Sequence, residues 1–118
     1  MLLDETNKSF DGYQRISRET AIYPERNKIQ GLLYVALGLC GESGEVADQI
    51  KKILRDDGSQ IKPERLEKIK SEIGDCIWYL AQICSELELN FSDVACKNLE
   101  KLFKRKDEGK LNGDGSNR

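Results

Sequence analysis

The sequence contains no histidine, and its four cysteines form no Cys-x-x-Cys pair. Zinc sites and Cys–His nucleophiles depend on such residues, so both kinds of site are disfavoured. Helical di-iron centres, which use a Glu-x-x-His motif, are disfavoured for the same reason. We interpret the cysteines as small buried hydrophobic residues in a reducing compartment. They are Cys40, Cys76, Cys84 and Cys96.

Long apolar runs and a strong charge imbalance are also missing. The longest nearly apolar run, residues 31–41, is far shorter than the roughly 20 residues that span a bilayer. Residues 1–5 lack the basic and apolar regions of a signal peptide. The net charge of −2 gives no overall attraction to nucleic acids or anionic membranes. We therefore expect a cytoplasmic protein that binds neither a membrane nor a nucleic acid.

The spacing of the apolar residues predicts four helices and no strand. The first helix starts at Ser9, a plausible N-cap, and the second runs from about residue 28 to residue 55. The third starts at Pro63 and ends near residue 87, and the fourth starts at Ser92, again a cap, and ends near residue 106. Residues 56–59 have the composition of a turn. The second and third helices are therefore expected to fold back on each other.

These elements predict an all-α fold, a helical bundle around an antiparallel helix hairpin. The length of 118 residues fits one domain, residues 1–118. Residues 1–8 and 107–118 show no helical periodicity, so we expect a frayed N-terminus and a flexible C-terminal tail.

Two features of the second and third helices indicate neighbours beyond the hairpin. Tyr34 and Trp78 project away from the apolar faces of their helices, so we expect a homo-oligomeric partner to cover them and to complete the bundle. Each glycine inside the second helix costs roughly 1 kcal/mol relative to alanine, so a neighbouring helix or a ligand should need the close approach that glycine allows. These glycines are Gly31, Gly38, Gly41 and Gly44.

Two acidic motifs lie about equally far from the predicted turn. Glu42 and Glu45 are three residues apart on the second helix, and so are Glu72 and Asp75 on the third, so each pair shares a helix face. Such pairs are often solvated surface charges, but both sit beside glycine at the margin of an apolar face. Four acids at one level of a hairpin repel each other unless a cation lies among them. With only oxygen ligands, Mg²⁺ is the natural occupant and Mn²⁺ a possible substitute.

Mg²⁺ commonly binds together with substrate phosphates, so the basic residues near the acids matter. The sequence has no Walker A motif, which leaves the metal and cationic side chains to hold phosphates. On the fourth helix, Lys101 and Arg105 share a stripe with Asn98 and are candidates for this role. Further candidates lie on the second helix: Lys51, Lys52 and Arg55. The apolar residues of the fourth helix are expected to face the core: Ala95, Leu99, Leu102 and Phe103.

Three stretches, residues 41–46, 71–80 and 98–105, resemble the MazG-like branch of the all-α nucleoside triphosphate pyrophosphohydrolases. The family pattern is Glu-x-x-Glu followed by Glu-x-x-Asp on the next helix, and both halves are present. Residues 13–23 and 114–118 also look like small MazG-type proteins of bacteria and phages. The likeness covers roughly residues 10–118.

The resemblance implies Mg²⁺-dependent hydrolysis of a nucleoside or deoxynucleoside triphosphate to the monophosphate and pyrophosphate. It also implies a site usually formed between the subunits of a homo-oligomer, a dimer or a tetramer. In this reading the four acids, Glu42, Glu45, Glu72 and Asp75, are both metal ligands and catalytic residues, one of which could orient the attacking water. Asp48 could assist them. The substrate-binding candidates are Asn98, Lys101, Arg105, Tyr79 and Lys52.

Two alternatives remain open. The first is phosphoribosyl-ATP pyrophosphohydrolase, because the same acids would serve that reaction. The second is a non-catalytic helical bundle that binds a nucleotide or a partner protein, with Trp78 and Tyr34 as its interaction surface.

Overall fold

The protein is described here by a computed structural model that covers residues 8–111. Within this range the chain forms four α-helices and one 3₁₀ turn. The helices are α1 (Phe10–Ser17), α2 (Ile29–Asp56), α3 (Pro63–Glu86) and α4 (Phe91–Asp107), and the 3₁₀ turn, Arg18–Thr20, follows α1. No strand occurs in the described range, so the predicted all-α fold is confirmed. The segments 1–7 and 112–118, which include most of the expected frayed and flexible ends, lie outside the described residues.

The hairpin of α2 and α3 is the centre of the fold. Gly58 and Ser59 both adopt positive φ angles, +63° and +61°, and reverse the chain between the two helices. Pro63 then opens α3, where its fixed φ suits the first helical turn. The Arg65 guanidinium ties this turn to α2 by donating to Asp57 at 2.8 Å and to Gln49 at 2.8 Å. The predicted antiparallel pair therefore forms with its turn where the composition placed it.

The helix caps follow the sequence prediction at α1 but not at α4. The Ser9 hydroxyl accepts a hydrogen bond from the Gly12 N–H at 2.9 Å, as expected for an N-cap. The prediction of Ser92 as the cap of the fourth helix is wrong. Asn90 caps α4 by accepting from the Asp93 N–H at 2.8 Å, and the Ser92 N–H donates instead to Asp11 at 3.2 Å.

The buried core is small and consists of two clusters. The first joins the segment after α1 to the hairpin, and the second lies where α1, α3 and α4 meet. The first cluster contains Ala21, Tyr23 and Val35, packed against Trp78, Tyr79 and Ile83. The second contains Ala81, Cys84 and Phe91, packed against Tyr13. Among the cysteines only Cys84 is fully buried, and the interpretation as buried residues is wrong for the exposed Cys40 and Cys96.

The segment between α1 and α2 covers part of the hairpin. Tyr23 stacks on Tyr34 with ring centroids 5.5 Å apart, and it meets the Trp78 ring edge-on at 6.3 Å. The Trp78 indole N–H donates to the Thr20 hydroxyl at 2.8 Å. The chain's own segment therefore covers part of Trp78, whereas Tyr34 stays half exposed. The oligomeric partner expected over these two residues stays a prediction.

Much apolar surface remains exposed on the single chain. On α4, Leu99 is 54% exposed and Phe103 is 58% exposed, so the prediction that these two residues face the core is wrong for one copy of the chain. Ala95 and Leu102 on the same helix are half-buried, in line with the prediction. None of the described helices is both long and apolar enough to span a membrane.

Candidate active site

Three of the four predicted acids converge between α2 and α3. Glu42 on α2 meets Glu72 and Asp75 on α3, and one carboxylate oxygen from each lies within 4.8 Å of the others. Glu42 and Glu72 are half-buried and Asp75 is exposed. The three-residue spacing of Glu72 and Asp75 puts both on one face of α3, and the hairpin brings that face to Glu42.

Partial burial and the neighbouring acids make Glu42 harder to ionise. Partial burial raises the pKa of Glu42 above its usual value, and a hydrogen bond with Glu72 raises it further. The negative charges of Asp75, Glu72 and Glu45 act in the same direction. A bound cation would reverse this effect by favouring the ionised carboxylates, so the cluster is electrostatically suited to a positive charge.

The donor set of this cluster fits a small hard cation. Mg²⁺ binds oxygen ligands in octahedral geometry, where neighbouring oxygens lie about 2.9 Å apart and opposite ones about 4.2 Å apart. The spread of 4.8 Å therefore needs only a small side-chain rotation to reach such a geometry. Glu42, Glu72 and Asp75 supply carboxylate oxygens alone, which disfavours a softer metal such as zinc.

Glu45 lies outside this cluster, although its charge reaches Glu42. Its side chain is exposed on the turn of α2 after Glu42. Asp48, one turn further, accepts ion pairs from Lys51 and Lys52, both at 2.9 Å. Hydrogen bonds from these two lysines, more than their charges alone, lower the pKa of Asp48 to about 2. Lys52, predicted to bind substrate, is thus held by Asp48 in the free chain.

The predicted substrate-binding residues of α4 differ in exposure within one copy of the chain. Asn98 and Lys101 are exposed, whereas Arg105 on the same stripe is buried. As far as residues 8–111 define it, the cavity beside the acids is lined by none of these three. Their roles stay predictions.

A cavity of about 340 Å³ opens beside the acidic cluster. Its lining consists of Thr20, Glu42, Asp75, Trp78 and Tyr79. Tyr79 was predicted for a nucleoside pocket, but Thr20 and Trp78 were missed as lining residues. Trp78 could have been found, because it follows Asp75 by three residues and therefore shares its helix face. Nothing in the sequence pattern signals Thr20.

Tyr79 reaches this position only because α2 has a glycine opposite it. A Cβ atom built at Gly38 would lie 2.1 Å from the Tyr79 ring, so any side chain there would displace the ring. Burial raises the pKa of the Tyr79 hydroxyl, and the charges of Tyr34, Glu42 and Asp75 add to this. Tyr79 is therefore a protonated hydrogen-bond donor at neutral pH. The predicted need for close approach holds at Gly38, whereas a Cβ at Gly41 would meet no described atom within 4 Å.

A second tyrosine, Tyr13 of α1, lies close enough to Asp75 to be affected by its charge. Burial raises the pKa of Tyr13, and the charge of Asp75 raises it further. Its ring packs against the cluster of Ala81, Cys84 and Phe91. The sequence pattern assigned no role to Tyr13 at the site.

A buried polar network holds the segment between α1 and α2 against α3. Glu86, whose side chain is 1% exposed, accepts from Arg18 at 2.7 Å and from the Asn27 backbone N–H at 3.0 Å. The Tyr23 hydroxyl also donates to Glu86. Burial alone raises the pKa of Glu86, but the hydrogen bonds from Tyr23, Arg18 and Asn27 outweigh it and lower that pKa below its usual value.

Comparison with known proteins places this site within a family domain. The family model described as the MazG nucleotide pyrophosphohydrolase domain matches residues 30–109, a range that contains all four predicted acids. The chain is 45% identical over 111 residues to the Gene 37 protein of Mycobacterium phage L5. The aligned region covers 92% of this chain and 97% of that protein. No solved structure matches the chain significantly.

Proposed function

The chain belongs to the MazG nucleotide pyrophosphohydrolase family, and from this we propose that it hydrolyses a nucleoside or deoxynucleoside triphosphate to the monophosphate and pyrophosphate in a Mg²⁺-dependent reaction. One observation carries the proposal. Glu42, Glu72 and Asp75 converge within 4.8 Å beside a cavity of about 340 Å³ that also has aromatic lining. Carboxylates suit a metal that accompanies phosphates, and aromatic rings suit a nucleobase.

In this proposal Glu42, Glu72 and Asp75 hold the metal, and Glu45 joins them by rotating its exposed side chain. When bound, Mg²⁺ supplies positive charge against the triphosphate and lowers the pKa of a coordinated water. Mn²⁺ would substitute, because it prefers the same oxygen ligands.

The chain's own residues position the reactants. One carboxylate of the four orients the attacking water and accepts its proton. The water oxygen bonds to the α-phosphorus while the bond from that phosphorus to the bridging oxygen breaks, and pyrophosphate leaves. Little covalent chemistry is required of the protein beyond this, so alignment and charge stabilisation dominate the rate.

We propose further that the protein is a homo-oligomer. Exposed apolar residues recur at helical spacing on α2 and α3, which is typical of helices that pack against a partner. They are Leu33, Leu37 and Leu54 on α2, Leu66, Ile73, Ile77 and Leu80 on α3, and Leu87 directly after α3. Monomeric proteins rarely expose so much contiguous apolar surface. A second copy of the chain has the matching face by symmetry.

Oligomerisation would also allow Asn98 and Lys101 of α4 to approach the cavity of another copy. Asn98 and Lys101 are exposed on the same helix as the exposed Leu99 and Phe103. If the apolar residues of α4 pack on another copy, Asn98 and Lys101 come with them and can reach the phosphates in that copy's cavity. Arg105 is buried within its own chain, so this route does not apply to it.

The reaction is tested by product analysis. The purified protein is incubated with each nucleoside and deoxynucleoside triphosphate and with phosphoribosyl-ATP, with Mg²⁺, with Mn²⁺ or with a chelator. We expect the monophosphate and pyrophosphate as first products, only with a metal. Orthophosphate as the first product would contradict the reaction class. Binding of triphosphates without turnover would favour a non-catalytic nucleotide-binding bundle.

A further inference from the structure

Trp78 occupies a fixed position at the cavity that the metal chemistry does not explain. Resting on the function proposed above, we propose that the Trp78 ring is the surface on which the nucleobase stacks. We propose also that Thr20 is a positioning residue that sets the orientation of this ring. The ligand class is a planar aromatic heterocycle carried by a triphosphate.

The polar group of Trp78 is already engaged by the protein. Its indole N–H donates to the Thr20 Oγ1 at 2.8 Å, and this hydroxyl in turn donates to the Ser17 carbonyl at 2.6 Å. Tryptophan has a single donor and no acceptor. Trp78 therefore offers a ligand only the surface of its ring, and Thr20 has only one lone pair left.

Neighbouring rings restrain the indole from two further sides. Tyr79 meets it edge-on with centroids 5.0 Å apart and planes at 86°, and Tyr23 does so at 6.3 Å and 86°. With the hydrogen bond to Thr20, three contacts oppose rotation of Trp78. A ring that is held in place before binding loses little conformational freedom on binding, which strengthens stacking.

The position of Trp78 relative to the acids suits a nucleotide. Asp75 and Trp78 lie three residues apart on α3 and line the same cavity, together with Glu42 from α2. A triphosphate at the acids therefore leaves its base within reach of the indole. Base–aromatic stacking tolerates any base, since every base has a π-face. Among the described lining residues other than the acids, Tyr79 has a hydroxyl with no hydrogen bond to the protein, so this hydroxyl can donate to a base edge or accept from it.

Because Trp78 is the only tryptophan in the chain, its fluorescence reports on this subsite alone. The wild-type protein with Mg²⁺ is titrated with a nucleoside triphosphate analogue whose α,β-bridge is an imido group, which resists cleavage at that bond. A parallel titration uses inorganic tripolyphosphate, which lacks a base. We expect a saturable change in emission with the analogue and none with tripolyphosphate. An equal change with both, or no change with the analogue in a protein that turns over nucleotides, would overturn the proposal.

Thr20→Val tests the positioning role, because it keeps the side-chain volume but removes the hydroxyl. Losing this hydrogen bond should raise KM by about three- to tenfold while kcat changes by less than about twofold. Thr20→Ser keeps the hydroxyl, so this variant should have the wild-type KM. Circular dichroism checks that each variant is folded. If Thr20→Val has the wild-type KM, or if Thr20→Ser fails to restore it, Thr20 does not position the ring.

The two proposals can fail separately. Absence of metal-dependent turnover in the wild type contradicts the hydrolase function, while a base-dependent change in Trp78 emission would still support the stacking subsite. Should Thr20→Val unfold, Trp78→Phe provides the second variant, because it shortens the ring and removes its N–H. Its KM for nucleotides should rise at least about threefold, and an unchanged KM would overturn the proposal.

Discussion

Replacing Glu86 by glutamine removes the one negative charge at the centre of the buried network. The wild-type carboxylate accepts from Arg18, from the Tyr23 hydroxyl and from the Asn27 N–H, and its side chain is 1% exposed. Glutamine keeps one acceptor oxygen but replaces the other by a donor that faces Arg18. The guanidinium is then left without its counter-charge.

The expected loss follows from the burial of the two partners. Breaking a buried ion pair by removing one charge costs about 3–5 kcal/mol. The Arg18 side chain is 19% exposed and also donates to the Gln82 amide at 3.1 Å, so water and this amide offset part of the loss. We therefore expect Glu86→Gln to lower the free energy of unfolding by about 2–3 kcal/mol. For a chain of this size, the melting temperature should fall by roughly 8–12 °C.

Urea denaturation at one fixed protein concentration measures this loss, and Glu67→Gln is the matched control. Glu67 is exposed on α3 and its ion pair with Lys70 is long, 4.0 Å, so its replacement should cost less than about 0.5 kcal/mol. Since the pKa of Glu86 is lowered in the folded state, its contribution is present above the unfolded pKa, about 4.3, and is lost as the pH falls through the folded pKa. The difference between wild type and Glu86→Gln should thus shrink in acid. A loss no larger than that of Glu67→Gln, or a difference independent of pH, would refute this reasoning.

Three further changes test the site, the packing and the assembly. Asp75→Asn should lower kcat by about 10²–10³-fold with unchanged helicity by circular dichroism, because it weakens the charge that holds the metal; full activity would remove this residue from the site. Gly38→Ala should destabilise by about 1–3 kcal/mol, since its Cβ would lie 2.1 Å from an aromatic ring. Gly74→Ala is the control, because a Cβ atom there would meet no described neighbouring atom within 4 Å, and it should be neutral or stabilising in thermal melts. Equal losses of stability in the two variants would contradict the packing argument. Leu37→Glu, on the exposed face of α2, should reduce the mass measured by light scattering to that of one chain, whereas Ile61→Glu in the hairpin turn should not; two unchanged masses would exclude this face as the interface.

The parts of the fold that local chemistry determines could be predicted from the sequence. Ser9, Pro63 and the turn at Gly58 act through their own backbone neighbours, so their effect is visible in a short stretch of sequence. The start of α4 could not be predicted in this way, because Asn90 and Ser92 are both good caps. Contacts with α1 decide between them.

The candidate site divides along the same line. The convergence of Glu42, Glu72 and Asp75 could be predicted because fixed spacing on two adjacent helices puts them at one level, but Glu45, predicted with them, lies outside the cluster. Thr20 could not, since its position depends on the path of the segment before α2, where Glu25 and Asn27 adopt positive φ angles of 60° and 64°. Such angles are uncommon for residues other than glycine. The Asn27 N–H donates to Glu86 on α3, whereas Glu25 is bonded locally, to Lys28. The exposed apolar face of the hairpin shows the opposite limit. The helical spacing of its apolar residues can be read from the sequence. In one copy of the chain, however, many of these residues stay exposed.

The two halves of the site differ in how far apart their residues lie along the chain. The acids belong to neighbouring helices joined by the short stretch between Asp56 and Pro63. The contacts that fix Trp78 and its covering segment join residues 58 and 68 positions apart, Thr20 with Trp78 and Arg18 with Glu86. Local pairings form faster than distant ones, so the hairpin should bring its acids together before the aromatic cavity closes. Trp78 lies on α3 with the acid Asp75, but the segment that holds Trp78 in place precedes residue 28. If the proposed function holds, substitutions in that segment should change base selection with little effect on metal binding.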